Sequence, residues 1–184
     1  MPSPIGHALG GIAAGCVFSE RTRWGMVATL AIAGAVPDVD FLLPIQHRGP
    51  THSLGAAVLV FAAAVAVTGK FRTALAIGAA YASHVLLDWL GADSSSPHGL
   101  MALWPLSTTY YVSGLDLFDA VSRRYWLPGF WPLTGLAVLR EILLVGPLAA
   151  LGVRSRFFET PTRFSSAKSK NRDLTPDQTP DRYS

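Results

Sequence analysis

The stretch FRTALAIGAAYASHVLLDWL, residues 71–90, holds twenty residues with a cation near its start and a histidine and a carboxylate near its end. Twenty mainly apolar residues in a helix match the hydrocarbon core of a bilayer, about 30 Å thick. A second full-length run, Leu133 to Val153, lies further on, and three shorter ones come first: Ile5 to Phe18, Trp24 to Val36 and Leu54 to Thr68. Runs of roughly 10–14 residues fit re-entrant or bundle-buried segments better than simple spans. The pattern predicts an all-α, multi-pass transmembrane bundle of about five apolar segments, the first two short or re-entrant. Gly and Ala recur through every segment, which allows close helix packing in lipid.

Composition agrees. Half of the 184 residues are apolar and 15% are charged, against about 25% charged in a typical soluble domain. The deficit is concentrated in residues 1–153, read as an integral membrane domain. Residues 154–184 are rich in Ser, Thr, Pro, Asp and Lys without apolar periodicity, and read as a polar, disordered tail. The start, MPSPIGHALGG, has no basic region ahead of its apolar stretch and so does not resemble a cleaved signal peptide. The single cysteine, Cys16, lies within an apolar run and reads as a small packing residue.

The sequence pI near 9.3 does not point to nucleic acid, because the basic residues are spread over loops and tail. They are better used to orient the chain. If all five segments cross, eleven of the 15 Lys and Arg fall on one side: Arg21, Arg23, Lys70, Arg72, Arg154, Arg156, Arg163, Lys168, Lys170, Arg172 and Arg182. Arg48, Arg123, Arg124 and Arg140 fall on the other. The positive-inside rule makes the eleven-residue side, tail included, cytoplasmic. The loops at 37–53 and 91–132 then face outward. The second of these carries Trp104, Tyr110, Tyr111, Tyr125, Trp126, Phe130 and Trp131, rings suited to an interfacial cap.

Seven further ionisable groups lie near the membrane: His7, Asp38, Asp40, His47, His52, His84 and Asp88. In this topology all fall at outer ends of spans or in the outer loop between the second and third. His84 and Asp88 are i and i+4 and share a helix face. Asp38 and Asp40, after a Pro37 that favours helix termination, share a side if PDVD is extended. Imidazole and carboxylate without thiolate suit zinc, manganese, iron or nickel. Seven candidates exceed the three protein ligands of one catalytic zinc and allow two ions. Thr51 and Ser53 read as helix caps, Arg48 alone as an interface marker, and His98 as a loop residue. Asp116, Asp119 and Glu141 read as solvent or interface groups.

The same residues carry a resemblance. His7, LAIAGAVPDVD (30–40), HRGPTHSLG (47–55), YASHVLLDWL (81–90) and SSPHGLMALWPLS (95–107) resemble, in order, motifs of the YdjM-like membrane-bound metal-dependent hydrolase family. That family is distantly similar to zinc-dependent phospholipase C and related single-strand nucleases. The resemblance implies phosphoester hydrolysis, with His7, Asp38, Asp40, His47, His52, His84 and Asp88 at ligand positions and Arg48 as the arginine of HRG. LexA binding, described for one member, is not carried over. The expected chemistry is hydrolysis of a phosphoester or phospholipid-like substrate at the outer face of the inner membrane. One or two divalent ions, zinc first, would activate water. Asp38 or Asp40 would take its proton, and Arg48 would hold an anionic oxygen. The rival readings are an ion or small-solute transporter and a non-catalytic, metal-stabilised scaffold. A transport pathway would place ionisable groups at several depths.

Overall fold

Helix caps supplied by the sequence fix several of the element boundaries. The computed structural model describes residues 1–20, 23–42, 47–93, 96–121 and 126–157. Among them are five α-helices: α1 (Pro4–Phe18), α2 (Trp24–Ala35), α3 (Leu54–Thr68), α4 (Phe71–Leu90) and α5 (Phe130–Phe157). Ser3 caps α1 by accepting the Gly6 N–H at 3.2 Å, with Pro4 at the first helical position. Ser53 caps α3 in the same way through Ala56 N–H at 3.0 Å, as the sequence predicts. Gly69 ends α3 at φ 63°, a left-handed cap that lets α4 begin two residues later.

Two boundaries differ from expectation. The fifth helix extends beyond Leu133–Val153 at both ends. After Ala35 the chain does not become extended: Val36–Leu42 forms 3-10 turns that prolong α2. Pro37 lacks an N–H but sits near the start of this segment, where little backbone bonding is lost. The combined helical run Trp24–Phe41 is 18 residues long and joins α4 and α5 as the helices long and apolar enough to cross a membrane. At 15 residues each, α1 and α3 are shorter, reaching about 22 Å at 1.5 Å per residue.

Helix α4 sits centrally, against α1, α2 and α3, and α1 also packs on α2 and α5. Glycine sets the closest crossing. A Cβ on Gly11 would stand 2.8 Å from the Gly34 Cα, and the reverse is equally true, so α1 and α2 touch backbone to backbone. The interior is small and polar: Cys16, Leu30, Ala33, Ala76 and Ala80 form one core cluster, while His7, His52, His84 and Glu141 are fully buried. Large apolar side chains such as Leu59, Val67, Leu136, Leu143 and Leu151 point outward. A surface this apolar around a polar interior is what lipid solvation permits.

Residues 91–93 and 96–121 strap the end of the bundle where α1 and α3 begin and α4 ends. Ala92 N–H donates to Phe118 O and Leu117 N–H to Leu90 O, both at 2.8 Å. Met101 N–H reaches Arg48 O at 3.0 Å, and Leu54 N–H reaches Ala102 O at 2.9 Å. Trp126 and Trp131 stay exposed, as an interfacial cap requires, whereas Phe118 is buried against Leu87 and Val145. The expected disorder of the tail from residue 158, and eight of the cations that orient the chain (Arg21, Arg123, Arg124, Arg163, Lys168, Lys170, Arg172 and Arg182), lie outside the described residues.

Candidate metal centre

Four chain segments meet beneath this strap. His7 comes from the second turn of α1, Asp38 and Asp40 from the 3-10 turns after α2, and His84 and Asp88 from the last turns of α4. His47 and His52 come from the approach to α3, where Pro50–His52 is a further 3-10 turn. The rings of His7 and His84 stack with centroids 3.7 Å apart, and His52 meets His84 edge-on at 4.7 Å. All seven sequence-predicted residues are therefore brought together. Three sets offer one donor atom each within 4.8 Å of one another: His7, His84 and Asp88; Asp38, His52 and His84; Asp40, His47 and His52. His84 joins the first set to the second, and His52 joins the second to the third.

The separations at the centre are informative. His7 Nε2 lies 3.2 Å from Asp88 Oδ1, and His84 Nε2 and His52 Nε2 lie 3.3 and 3.5 Å from Asp88 Oδ2. Asp38 Oδ1 stands 3.6 Å from His52 Nε2 and 3.8 Å from His84 Nε2. None of these three nitrogens, nor either Asp88 oxygen, has a hydrogen-bond partner, although all are buried. Ligand atoms about 2.1 Å from a tetrahedral zinc stand roughly 3.4 Å from each other. The polar atoms are spaced as the edges of such a polyhedron rather than as hydrogen bonds.

The outer nitrogens fix which lone pair points inward. His84 Nδ1 donates to Gly34 O at 2.8 Å, and His47 Nδ1 donates to Asp40 Oδ1 at 2.7 Å. Each bond puts the proton on Nδ1 and makes Nε2 the acceptor, the arrangement found behind metal-bound imidazoles. Asp40 is heavily engaged: its Oδ2 takes Thr51 Oγ1–H at 3.1 Å and Arg48 N–H at 3.3 Å, and lies 3.3 Å from His52 Nδ1. Its side chain is fully buried, whereas that of Asp38 is 14% exposed. The two carboxylates, two residues apart on 3-10 turns, thus bracket the ring of His52 from different sides.

Three carboxylates among neutral imidazoles leave this interior short of positive charge, and buried charge without a counter-charge is unfavourable. His52 reports that deficit. Burial opposes its charged form, but the nearby carboxylates of Asp38, Asp40 and Asp88 outweigh burial and push it up to about 9. The residues present therefore fit a divalent cation in donor type, spacing and charge.

Arg48 sits at the rim with φ 64°, a strained conformation for a non-glycine residue. Its guanidinium pairs with Asp93, whose Oδ2 also accepts Gly99 N–H at 2.5 Å. Arg48, Asp93, Asp88, Met1 and Tyr111 line a cavity of about 10 Å³. His98 is exposed in the loop above, as expected. Asp116 and Asp119 are also exposed, the latter paired with Arg140 at 2.9 Å.

Glu141 departs from the sequence reading as a solvent or interface group: it is fully buried. Its carboxylate accepts Ser3 N–H at 2.7 Å and the Ser3 hydroxyl. The cause is the parallel packing of α5 on α1, which sets Glu141 against the positive end of the α1 dipole. Gly6 leaves the space, since a Cβ there would stand 2.6 Å from Glu141 Oε2. Sequence reasoning also missed Asp93 and the Gly34 carbonyl. Asp93 had a signal, being the first acid after α4, but a backbone acceptor leaves no mark in a sequence.

No curated protein and no solved structure matches the chain. A family model, described as the YdjM inner membrane protein, matches residues 1–153, which is the helical bundle up to the last turn of α5, with its seven clustered histidines and aspartates. The chain belongs to the YdjM inner membrane protein family.

Proposed function

We infer that the chain is a membrane-bound metal-dependent hydrolase acting on a phosphoester or phospholipid-like substrate at the outer face of the inner membrane. The observation that carries this reading is the set of buried, unbonded donor atoms on His7, His52, His84 and Asp88, spaced as ligand edges. These residues would hold one ion, and His47 with His52 and Asp40 marks room for a second. A divalent ion, zinc by donor type, supplies Lewis acidity and a nucleophile at neutral pH.

The chain's own groups then divide the remaining work. Asp38, the more exposed carboxylate of the pair, takes the proton from the attacking water. Asp40 orients His47 and His52 from behind. Arg48, at the rim, faces an anionic substrate oxygen when its pairing with Asp93 rearranges. Among the described residues every buried charged group, Glu141 included, lies toward one end of the bundle, which favours a site over a transmembrane pathway.

Metal analysis of the purified protein beside His52→Ala and Asp88→Ala, with phosphodiesterase turnover read on the same samples, tests this. We expect bound metal and turnover in the parent and loss of both in the variants. A metal-free parent refutes the reading. Metal without turnover on any ester supports the scaffold instead.

A further inference from the structure

Between α1, the first residue of α2 and the second half of α5 lies a groove of about 530 Å³. Leu9 and Ile12 form one wall, Gly146, Ala149, Ala150 and Val153 the other, and Trp24, Arg154 and Phe157 close the end. Gly146 to Phe157 spans about 16 Å of helix, half of a hydrocarbon core about 30 Å thick. The groove is thus as deep as one leaflet.

Two observations indicate its occupant. The first is charge and ring placement at the mouth. Arg154 and Arg23 are exposed there, and Trp24 is 74% exposed beside Phe157, with ring centroids 5.1 Å apart. Basic residues and tryptophan together mark a headgroup layer, and a basic surface draws anionic lipid. The second is Gly146. Unlike Gly11 and Gly34, it spares no neighbouring helix: a Cβ there would meet just Ile142 Cγ2 of its own helix, at 3.6 Å. Its missing side chain widens the groove itself.

The geometry points to a binding site for one anionic phospholipid of the basic-side leaflet, its acyl chain in the α1–α5 groove and its phosphate at Arg154. The inference does not depend on the hydrolase reading, since none of the seven clustered histidines and aspartates lines the groove.

Native mass spectrometry of the full-length protein in detergent, with phosphatidylglycerol and phosphatidylcholine of identical acyl chains, tests it. The parent should retain one phosphatidylglycerol and prefer it by about fivefold, the factor one surface cation contributes. Gly146→Leu fills the groove and should abolish retention without lowering the melting midpoint in pure detergent. Ala150→Leu, on an exposed position of the same wall, provides a second filling variant. Arg154→Gln should keep one lipid but lose the preference for phosphatidylglycerol. Equal retention of both lipids by the parent, or undiminished retention in both filling variants, overturns the proposal. A lipid-free parent that runs as a dimer overturns it in favour of a second copy of the chain.

Discussion

Replacing Gly34 with alanine tests the link between helix packing and the histidine cluster. The added methyl would stand 2.8 Å from the Gly11 Cα and 3.1 Å from the Gly11 nitrogen. Unstrained carbon contacts lie at about 3.5–4.0 Å, so α1 and α2 must part by several tenths of an ångström. Overpacking of this kind costs about 1–3 kcal/mol. Alanine returns about 0.8–1 kcal/mol in helix propensity, so the net loss is up to about 2 kcal/mol. The shift also reaches the site, because Gly34 O holds His84 Nδ1 at 2.8 Å. Disturbing such an outer partner lowers metal affinity by about 10–100-fold. Gly135→Ala is the control, since nothing lies within 4 Å of a Cβ there, and it should stabilise by up to about 1 kcal/mol. Reversible unfolding in mixed micelles and chelator competition for zinc would read both effects. If Gly34→Ala is as stable as Gly135→Ala, the close α1–α2 crossing is wrong.

Four other outcomes are expected. A double-mutant cycle between Ser3→Ala and Glu141→Leu, read by micelle unfolding, should give a coupling of about 1–3 kcal/mol, because each single variant strands a buried polar partner. Asp38→Asn should lower turnover by roughly 10²–10⁴, while Asp40→Asn should act first on metal affinity, by about 10–100-fold; equal metal loss in both would contradict their separate roles. Asp93→Ala removes the anion from a guanidinium just 7% exposed and should destabilise the fold by about 3 kcal/mol, with Asp93→Glu closer to the parent. A reporter fused at residue 172 should remain cytoplasmic, and an external signal would reverse the orientation.

The helices were legible because their information is local. Apolar run length and the cap at Ser53 need no knowledge of the fold. The meeting of the seven site residues was legible for a less local reason: if every segment crosses, alternate ends share a face, and parity alone collects His7, Asp38, Asp40, His52, His84 and Asp88. What parity cannot give is orientation. Asp38 and Asp40 looked equivalent as neighbours on an extended strand, but 3-10 turns separate them into a partly exposed group and an engaged, buried one. Glu141 was misread because burial in lipid-facing helices depends on rotation about the axis. One residue away, Arg140 is exposed and paired with Asp119.

Helix length then explains where the cluster lies. At the basic end the helices are level: Arg72 pairs with Glu20, and Arg156 Nη2 donates to Val17 O at 2.8 Å. From that level α1 and α3 rise about 22 Å, and α4, at 20 residues, about 30 Å. The two short helices stop short of the far side, leaving a recess beside the last turns of α4. A recess of that kind within the hydrocarbon layer must be filled by groups that satisfy one another or lined against water. Here His7 and His52 enter at the tops of the short helices, His84 and Asp88 face them from the long one, and residues 91–93 and 96–121 roof the space. His84 stands thirteen residues above Phe71, about 20 Å up the helix, and so beneath the far headgroup layer of a core about 30 Å thick. Short helices are therefore not failed spans in this fold. Their shortness makes room for a polar centre within the depth of the bilayer, where a substrate tethered to lipid could reach it from the side of the strap.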